Sequence, residues 1–229
     1  MIGYQYTYLV ISLLFFIFWS ILFLKRKDTR KEMLIISLIF GVIGLFVEPI
    51  YITDWWKPLT ITGTAVGIED FLFGFAFGGV ASVCYEVSFK ERIKIKRKNK
   101  KQNFNLFILL GIAGFLFFGS FYIFNFNTFY ATLLAFIMPT LVIWLKRKDL
   151  IVNSLMSGAI SLFISVIVYA VMEYLTPGWI DEFLLFQNIP KIIFLNMPLD
   201  DIIWFFLAGL WIGPLYEYWQ EGKLIKYKG

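Results

Sequence analysis

The stretch from Pro198 to Glu217 reads PLDDIIWFFLAGLWIGPLYE. It places two adjacent carboxylates, Asp200 and Asp201, at the start of an otherwise apolar helix. A second stretch, Gly67 to Glu86, reads GIEDFLFGFAFGGVASVCYE and aligns with the first without a gap. Acidic side chains at the edge of hydrocarbon are costly. An acid pair that occurs twice at the same place in such helices therefore indicates a function.

The two stretches agree in their acid pairs, in an aromatic residue three positions after each pair, and in their last two residues. The matching positions are Glu69/Asp200, Asp70/Asp201, Phe73/Trp204, Gly78/Gly209, Tyr85/Tyr216 and Glu86/Glu217. At about 100° per residue, the matched positions Gly78 and Tyr85 fall within about 80° of Asp70 around the helix axis. We therefore expect Asp70 and Asp201 to point into a helix bundle, with Glu69 and Asp200 turned to one side.

The composition is that of an integral membrane protein. The chain has 229 residues, of which 59% are hydrophobic, 21% aromatic and only 16% charged, whereas a soluble domain carries about 25% charged residues. It contains no histidine, which excludes histidine-based acid–base catalysis and histidine-ligated metals, and its one cysteine, Cys84, excludes an internal disulfide. We expect neither a cofactor nor a metal in the reaction.

Seven apolar segments are each long enough to span a bilayer, which takes about 20 residues. They lie near Tyr6–Leu24, Met33–Ile52, Ile68–Phe89, Phe104–Phe124, Thr128–Leu145, Ile151–Leu175 and Leu199–Trp219. The connections after the first, third and fifth spans, together with the segment after the seventh, hold 19 of the 21 basic residues. The positive-inside rule then predicts a multi-pass protein of the cell membrane, with its N-terminus outside and its C-terminus in the cytoplasm.

Eight of the basic residues lie in one connection, between Lys90 and Lys101. A nucleic-acid site is one interpretation of such a run. We favour a cytoplasmic loop that rests on the anionic lipid of the inner leaflet, since it directly follows a membrane span. No nucleic-acid partner is expected.

The repeat extends beyond the two acidic stretches. The sequence LKRKD ends the first span at Leu24–Asp28 and the fifth at Leu145–Asp149, and Glu48 and Glu173 lie near the outer ends of the second and sixth. These correspondences predict an all-α membrane protein built from two parallel three-helix repeats. The repeats are residues 1–103 and 128–229, and a linker helix within residues 104–127 joins them.

Six carboxylates should consequently lie at similar depth near the outer surface. The candidate catalytic residues are Glu69, Asp70, Asp200 and Asp201, supported by Glu48, Glu173, Phe73 and Trp204. Like charges a few ångströms apart in an apolar pocket do not both ionise, so one carboxyl can donate a proton while another accepts one. Aromatic ring faces can stabilise a carbocation.

Each stretch also ends in a glutamate, at the opposite end of the helix from the acid pair, and we interpret these two residues differently. Glu86 and Glu217 lie far from the acid pairs, so we interpret them as structural. Glu86 is expected to pair with Lys90, four residues further along the same helix.

The acidic stretches resemble a known family. MPLDDIIW at Met197–Trp204 is similar to the Pro-x-acid-acid-x-x-Phe/Trp motif of the small, non-flavin membrane lycopene cyclases, and GIEDFLF at Gly67–Phe73 is similar to it except for Gly67. In that family two three-helix units, separate or fused, act together. They close the acyclic ends of lycopene or longer carotenoids into rings without net redox change. The resemblance implies a carotenoid or other polyene lipid as substrate.

Three other classes of protein share parts of this pattern. A parallel 3 + 1 + 3 repeat is also the plan of small sugar transporters, which need polar groups at the midplane that this chain mostly lacks. A rhodopsin-like photoreceptor has the same number of spans, but Leu199–Trp219 contains no lysine to bind retinal. A non-catalytic carotenoid or lipid binder remains open, and so does a homo-oligomer.

Overall fold

The computed structural model describes residues 2–95, 102–187 and 189–227. Within these ranges, seven helical segments are long and apolar enough to cross a membrane. The helices are α1 (Tyr4–Lys25), α2 (Arg30–Tyr51), α3 (Ile68–Ser88), α4 (Gln102–Tyr122), α5 (Thr128–Lys146), α6 (Ile151–Leu175), the short α7 (Trp179–Phe183), α8 (Leu199–Ile212) and α9 (Leu215–Trp219). The predicted all-α multi-pass membrane fold is confirmed.

The seventh span differs from the prediction because it is broken into α8 and α9. The break falls at Gly213 and Pro214. A proline has no backbone N–H and its ring obstructs the preceding turn, so it interrupts a helix. The two pieces together still cover Leu199–Trp219.

Helices α3 and α8 contact each other at the centre of the bundle, and four of the other spans pack around them, while α4 lies against α5 and α9. Helices α1 and α2 lie against α3, and α5 lies against α8, while α6 contacts both central helices. Small residues allow this close packing, as is common between membrane helices. A Cβ atom at Gly44 of α2 would lie only 2.7 Å from the Asp70 carbonyl oxygen, and one at Gly209 of α8 would lie 2.6 Å from Ser161 Oγ.

The first LKRKD motif fastens α1 to the end of α3. The Arg26 guanidinium donates to both carboxylate oxygens of Asp28, each at 2.9 Å. It also donates to the carbonyl oxygens of Glu86, at 3.1 Å, and of Glu91, at 2.5 Å. The charged Arg26 side chain holds the pKa of Asp28 below its usual value. The motif thus neutralises its own arginine while satisfying one carbonyl group in the last turn of α3 and one beyond its end.

The second LKRKD motif makes the corresponding contacts. Arg147 donates to both oxygens of Asp149, at 2.8 and 2.6 Å, and to the Gly222 carbonyl oxygen at 2.8 Å. The strands are β1 (Glu91–Lys94), β2 (Ile193–Phe194), β3 (Met197–Pro198) and β4 (Lys223–Lys226). Gly222 precedes β4, which pairs antiparallel with β1. Each arginine therefore holds the start of one strand of the same two-stranded sheet.

We expect replacement of Arg26 to destabilise the protein more than replacement of Arg147. Arg26 is 7% exposed and makes four hydrogen bonds, whereas Arg147 makes three. Removing a buried charged partner leaves carbonyl groups unsatisfied. Thermal unfolding of the purified protein in detergent should show a lower midpoint for Arg26→Ala than for Arg147→Ala. Equal midpoints would contradict this ranking.

The expected ion pair between Glu86 and Lys90 is wrong. Helix α3 ends at Ser88, and Lys90 has a positive φ of 52°, so the two residues are not four apart on one helix. Glu86 is fully buried. Its neighbours are Glu32 and Glu217.

Part of the basic run lies outside the described residues. Its first residues form β1, while positions 96–101 are not among those that the structure describes. The expected contact of this loop with anionic lipid stays a prediction.

Helix α7 and its flanking segments cover the end of the bundle that carries the acid pairs. Trp179 and Phe183 are fully buried, and both rings contact Trp56, with centroids 6.2 and 5.6 Å apart. The backbone of Lys57 donates to the Phe183 carbonyl oxygen at 2.8 Å. This connection is therefore packed onto the loop that follows α2.

Candidate active site

An apolar cavity of about 760 Å³ lies between α2, α4 and α5 on the outside and α3 and α8 on the inside. Leu38, Val42 and Phe46 of α2 and Phe118 of α4 line it and are also exposed on the outer surface of the bundle. The exposed flank of a membrane helix faces lipid. The cavity therefore opens sideways, between α2 and α4.

Three carboxylates line this cavity: Glu48, Asp70 and Asp201. Each is buried, with 4%, 2% and 7% of its surface exposed, respectively. The lining that the structure describes includes no lysine or arginine. The three acids are thus held in an apolar space without a basic partner.

Asp70 is fixed by the first turn of α3. Its Oδ2 accepts a hydrogen bond of 2.7 Å from the Gly67 backbone N–H, which closes the N-terminal turn. A Cβ atom at Gly67 would lie 2.9 Å from the Thr60 methyl group. The glycine that replaces the motif's proline therefore supplies both an N–H group and the space that this turn requires.

The other oxygen of Asp70 faces a second acid. Asp70 Oδ1 and Glu48 Oε1 are buried and receive no hydrogen bond from the part of the chain that the structure describes. The two carboxyl groups lie within hydrogen-bonding range of each other, and the Tyr8 side chain lies beside them. A single proton between the carboxyl groups would satisfy both oxygens.

Asp201 has a different environment although it occupies the equivalent position. Pro198 lies immediately before α8, where Gly67 lies before α3, and it has no N–H to donate. The first turn of α8 therefore does not bind the Asp201 carboxylate as the first turn of α3 binds Asp70. Instead, Asp201 Oδ2 accepts a hydrogen bond of 2.8 Å from the Tyr169 hydroxyl group of α6. Both side chains line the cavity.

The first acid of each pair points away from the cavity. Glu69 is fully buried and its Oε1 accepts a hydrogen bond of 2.7 Å from the Ile61 N–H. Asp200 is 3% exposed and its Oδ2 accepts a hydrogen bond of 2.6 Å from Trp55 Nε1. Each acid fastens the start of its helix to the loop that follows α2, and neither lines the cavity.

Glu173 does not share the environment of Glu48, its counterpart in the predicted repeat. It is partly exposed, and its Oε1 lies 3.4 Å from the Gly178 N–H. It is not among the residues that line the cavity. The difference follows from packing, since α6 lies against both α3 and α8, whereas the cavity occupies the space between α2 and α8.

Aromatic rings form the wall between the acids. Phe73 and Trp204, the two aromatic residues predicted for the site, line the cavity with ring centroids 6.1 Å apart. The ring centroids of Phe77 and Phe205 lie 5.5 and 5.0 Å, respectively, from that of Trp204. Ring faces at these positions offer negative potential to a cation within the cavity.

Two features of the site were missing from the sequence interpretation. The first is the pair of tyrosines beside the acids, Tyr8 and Tyr169, which no motif marks. The second is α4, which was interpreted as a linker alone but supplies cavity residues from Leu110 to Phe118. Its small residues Ala113 and Gly114 leave room there, which is a signal that the sequence does contain.

Fold and cavity together define an all-α membrane protein with a lipid-accessible apolar site that carries carboxylates and aromatic rings. The model of the lycopene cyclase family matches residues 3–88 and 127–219. The chain belongs to this family, whose members are cyclases acting on carotenoids. No curated protein and no solved structure matches the chain.

Proposed function

We propose that this protein closes the acyclic end groups of lycopene or a related carotenoid into rings by acid–base chemistry in the α2–α4 cavity. The observation that carries the proposal is the presence of Glu48, Asp70 and Asp201 among aromatic rings in one apolar cavity. Buried carboxylates in a membrane protein mark functional sites by default.

The shape of the cavity suits one end of a long polyene. A volume of about 760 Å³ lies within the usual range of small-molecule sites, roughly 300–1,000 Å³. The opening between α2 and α4 lets the end group enter from the lipid while the remainder of the chain stays in the membrane. The apolar lining supports this substrate over a sugar, which needs several polar partners.

The Glu48–Asp70 pair is the proton donor in this proposal. Two carboxyl groups in hydrogen-bonding range, with no basic residue in the lining, retain a proton between them. Transfer of that proton to the terminal double bond of the substrate leaves a tertiary cation at the neighbouring carbon. The rings of Phe73 and Trp204 stabilise this cation and the ring that forms from it.

Asp201 is the base. Its carboxylate is stabilised by the hydrogen bond from Tyr169, and it lies in the same cavity as the donor pair. The cation is attacked by the next double bond, which forms one carbon–carbon bond and closes the ring. Asp201 then removes a proton from the ring carbon next to the new cationic centre. One proton is gained and one is lost, so the product is an isomer of the substrate.

Glu69 and Asp200 are positioning residues in this scheme. Their contacts with the Ile61 N–H and with Trp55 fix the first turns of α3 and α8. Those turns carry Asp70 and Asp201 as the next residue. In each pair, the first acid thus positions the helix and the second acid takes part in the reaction.

The proposal also includes two three-helix repeats and an orientation of the protein in the membrane. The matched ranges leave out α4, and the equivalent contacts of Arg26 and Arg147 relate the two halves. Both observations support two three-helix repeats joined by α4. The basic end, with both LKRKD motifs and the β1–β4 sheet, faces the cytoplasm and its anionic lipid.

Pigment analysis of cells that make lycopene tests the function. Expression of this chain should convert lycopene into cyclic carotenoids that liquid chromatography separates from the acyclic substrate. Cells that accumulate lycopene unchanged, although the protein is inserted in the membrane, would instead indicate a carotenoid binder or a transporter.

Substituting one glycine of α4 tests the location of the substrate. Gly114 lines the cavity, and a Cβ atom there would have no neighbour within 4 Å. The Cβ atom of a larger side chain can therefore be introduced without a clash, and the ring of a phenylalanine is expected to occupy part of the cavity. We expect Gly114→Phe to lower the yield of cyclic product at least about tenfold, since one misplaced reacting group costs roughly that much or more.

Gly119→Phe is the matched control. Gly119 lies on the same helix and also has no neighbour within 4 Å of an added Cβ atom, but it does not line the cavity. This variant should retain its product yield. Equal losses in both variants would show that a bulky residue in α4 acts through folding and not through the cavity.

A further inference from the structure

A second group of buried carboxylates lies at the opposite end of the bundle from the candidate active site. Glu32 of α2, Glu86 of α3 and Glu217 of α9 each place a carboxylate oxygen within 4.8 Å of the others. They are 2%, 0% and 0% exposed, respectively. Glu86 is 16 residues from Asp70 on the same helix, which corresponds to about 24 Å. This cluster is therefore separate from the cavity acids.

An asparagine completes the cluster and orients two of the acids. Asn153 Nδ2 donates to Glu217 Oε1 at 2.8 Å and to Glu86 Oε1 at 3.3 Å. Asn153 is 1% exposed, and its own Oδ1 accepts from Ser157 Oγ at 3.2 Å. Its amide thus leaves the second oxygen of each glutamate free to bind something else.

The four side chains form two equivalent pairs in the repeat. Glu86 and Glu217 are aligned positions of the two acidic stretches. Glu32 follows Asp28 of the first LKRKD motif by four residues, and Asn153 follows Asp149 of the second by the same distance. The cluster consequently gathers two matched positions from each half, at the place where the halves meet.

The free oxygens of this cluster point to a missing ligand. Both carboxylate oxygens of Glu32, together with Glu86 Oε2 and Glu217 Oε2, are buried and receive no hydrogen bond from the described part of the chain. Buried acceptors without partners are rare and costly in native proteins.

The nearest guanidinium groups are already engaged elsewhere. Arg26 donates to Asp28 and to backbone carbonyl oxygens, and Arg147 donates to Asp149 and to the Gly222 carbonyl oxygen. Neither forms an ion pair with a cluster carboxylate within the described ranges. The described part of the chain therefore offers the cluster no ion-pair partner, and a cation from solution can supply the compensating charge.

We propose that Glu32, Glu86 and Glu217 bind one hard divalent cation, of the Ca²⁺ or Mg²⁺ type, that ties the two halves of the bundle together. Such ions prefer carboxylate and amide oxygens, at about 2.0–2.6 Å from the metal. Oxygens on opposite sides of a Ca²⁺ ion are then about 5 Å apart, which the spacing of the cluster accommodates. The ion would give the four free oxygens a partner, would offset two of the three carboxylate charges, and has a structural role.

Binding of Ca²⁺ and of Mg²⁺ to the purified full-length protein tests the proposal. The protein is stripped with a chelator in detergent, and binding is then titrated calorimetrically while thermal unfolding is followed. One ion per chain should bind saturably and raise the unfolding midpoint. The better of the two ions identifies the type of site. Lack of saturable binding by both ions would overturn the proposal and indicate that protons occupy the cluster.

Variants locate the ion. Glu32→Gln and Glu217→Gln each remove a ligand charge and should weaken binding at least about tenfold, since even supporting residues of metal sites contribute that much. Their unfolding midpoints should no longer respond to the ion. Glu221→Gln, at an exposed position, should bind normally. Normal binding by the Glu32 and Glu217 variants would place the ion elsewhere and contradict the assignment.

Discussion

Asp201→Asn is expected to abolish ring closure while leaving the protein folded in the membrane. Asparagine keeps the size of the side chain and can remain hydrogen-bonded to Tyr169, but it cannot accept the ring proton. General acid–base catalysis contributes about 10²–10⁴ in rate. The yield of cyclic carotenoid should therefore fall at least about 100-fold, as measured by chromatography of pigments at equal protein levels. Asp70→Asn, which breaks the donor pair, should have an effect of the same size.

An acid on the same side of the bundle provides the control for these two variants. Glu182 lies in α7 and is exposed. Glu182→Gln removes a charge near the site without touching the cavity and should leave the product yield unchanged. Normal cyclisation by both Asp201→Asn and Asp70→Asn would remove these residues from the mechanism.

Glu48→Gln should be nearly as damaging as the loss of Asp70. The glutamine side chain cannot share a proton with Asp70, so the carboxyl pair no longer holds a transferable proton in the cavity. We expect at least a 100-fold loss of cyclic product, on the order of a general acid's contribution. The substituted side chain has nearly the same volume, so the amount of folded protein should not fall.

Glu173→Gln is the matched control, because Glu173 occupies the corresponding place in the second half. The two residues would be equally important if the halves contributed equivalent sites. Since only Glu48 lines the cavity, we expect Glu173→Gln to retain its product yield. Equal losses in the two variants would contradict a single working cavity between α2 and α8.

The sequence predicted the spans well because each depends on local composition. Long apolar runs define the helices, and α6 begins and ends at the predicted residues, Ile151 and Leu175. The break in the last span was missed, although Pro214 stands at it. Length and hydropathy alone do not report whether a proline bends a helix or divides it.

The arrangement of the acids could be predicted only in part. The repeat placed them at one end of the bundle, and the helix wheel separated Asp70 and Asp201 from Glu69 and Asp200. It did not distinguish Glu48 from Glu173, because that difference arises from how α2 and α6 pack against the central helices. Tertiary asymmetry between similar halves has no signature in the aligned positions.

The contacts that Glu86 makes with other helices could not be predicted from the sequence either. The predicted partner of Glu86 was chosen by helical spacing, but the chain leaves the helix at Ser88 and turns at Lys90. The actual neighbours of Glu86 are Glu32, Asn153 and Glu217, which come from three other helices. Spacing along one helix cannot identify such a cluster.

Incubation of the purified protein with lycopene, without added flavin or nicotinamide, followed by mass spectrometry of the separated pigments, tests whether this protein is an acid–base cyclase. Acid–base cyclisation adds one proton and removes another, so we predict a cyclic product with the same mass as lycopene. That product should be missing when Asp201→Asn protein is used. Recovery of lycopene alone, or of a product that differs from it in mass, would contradict the account.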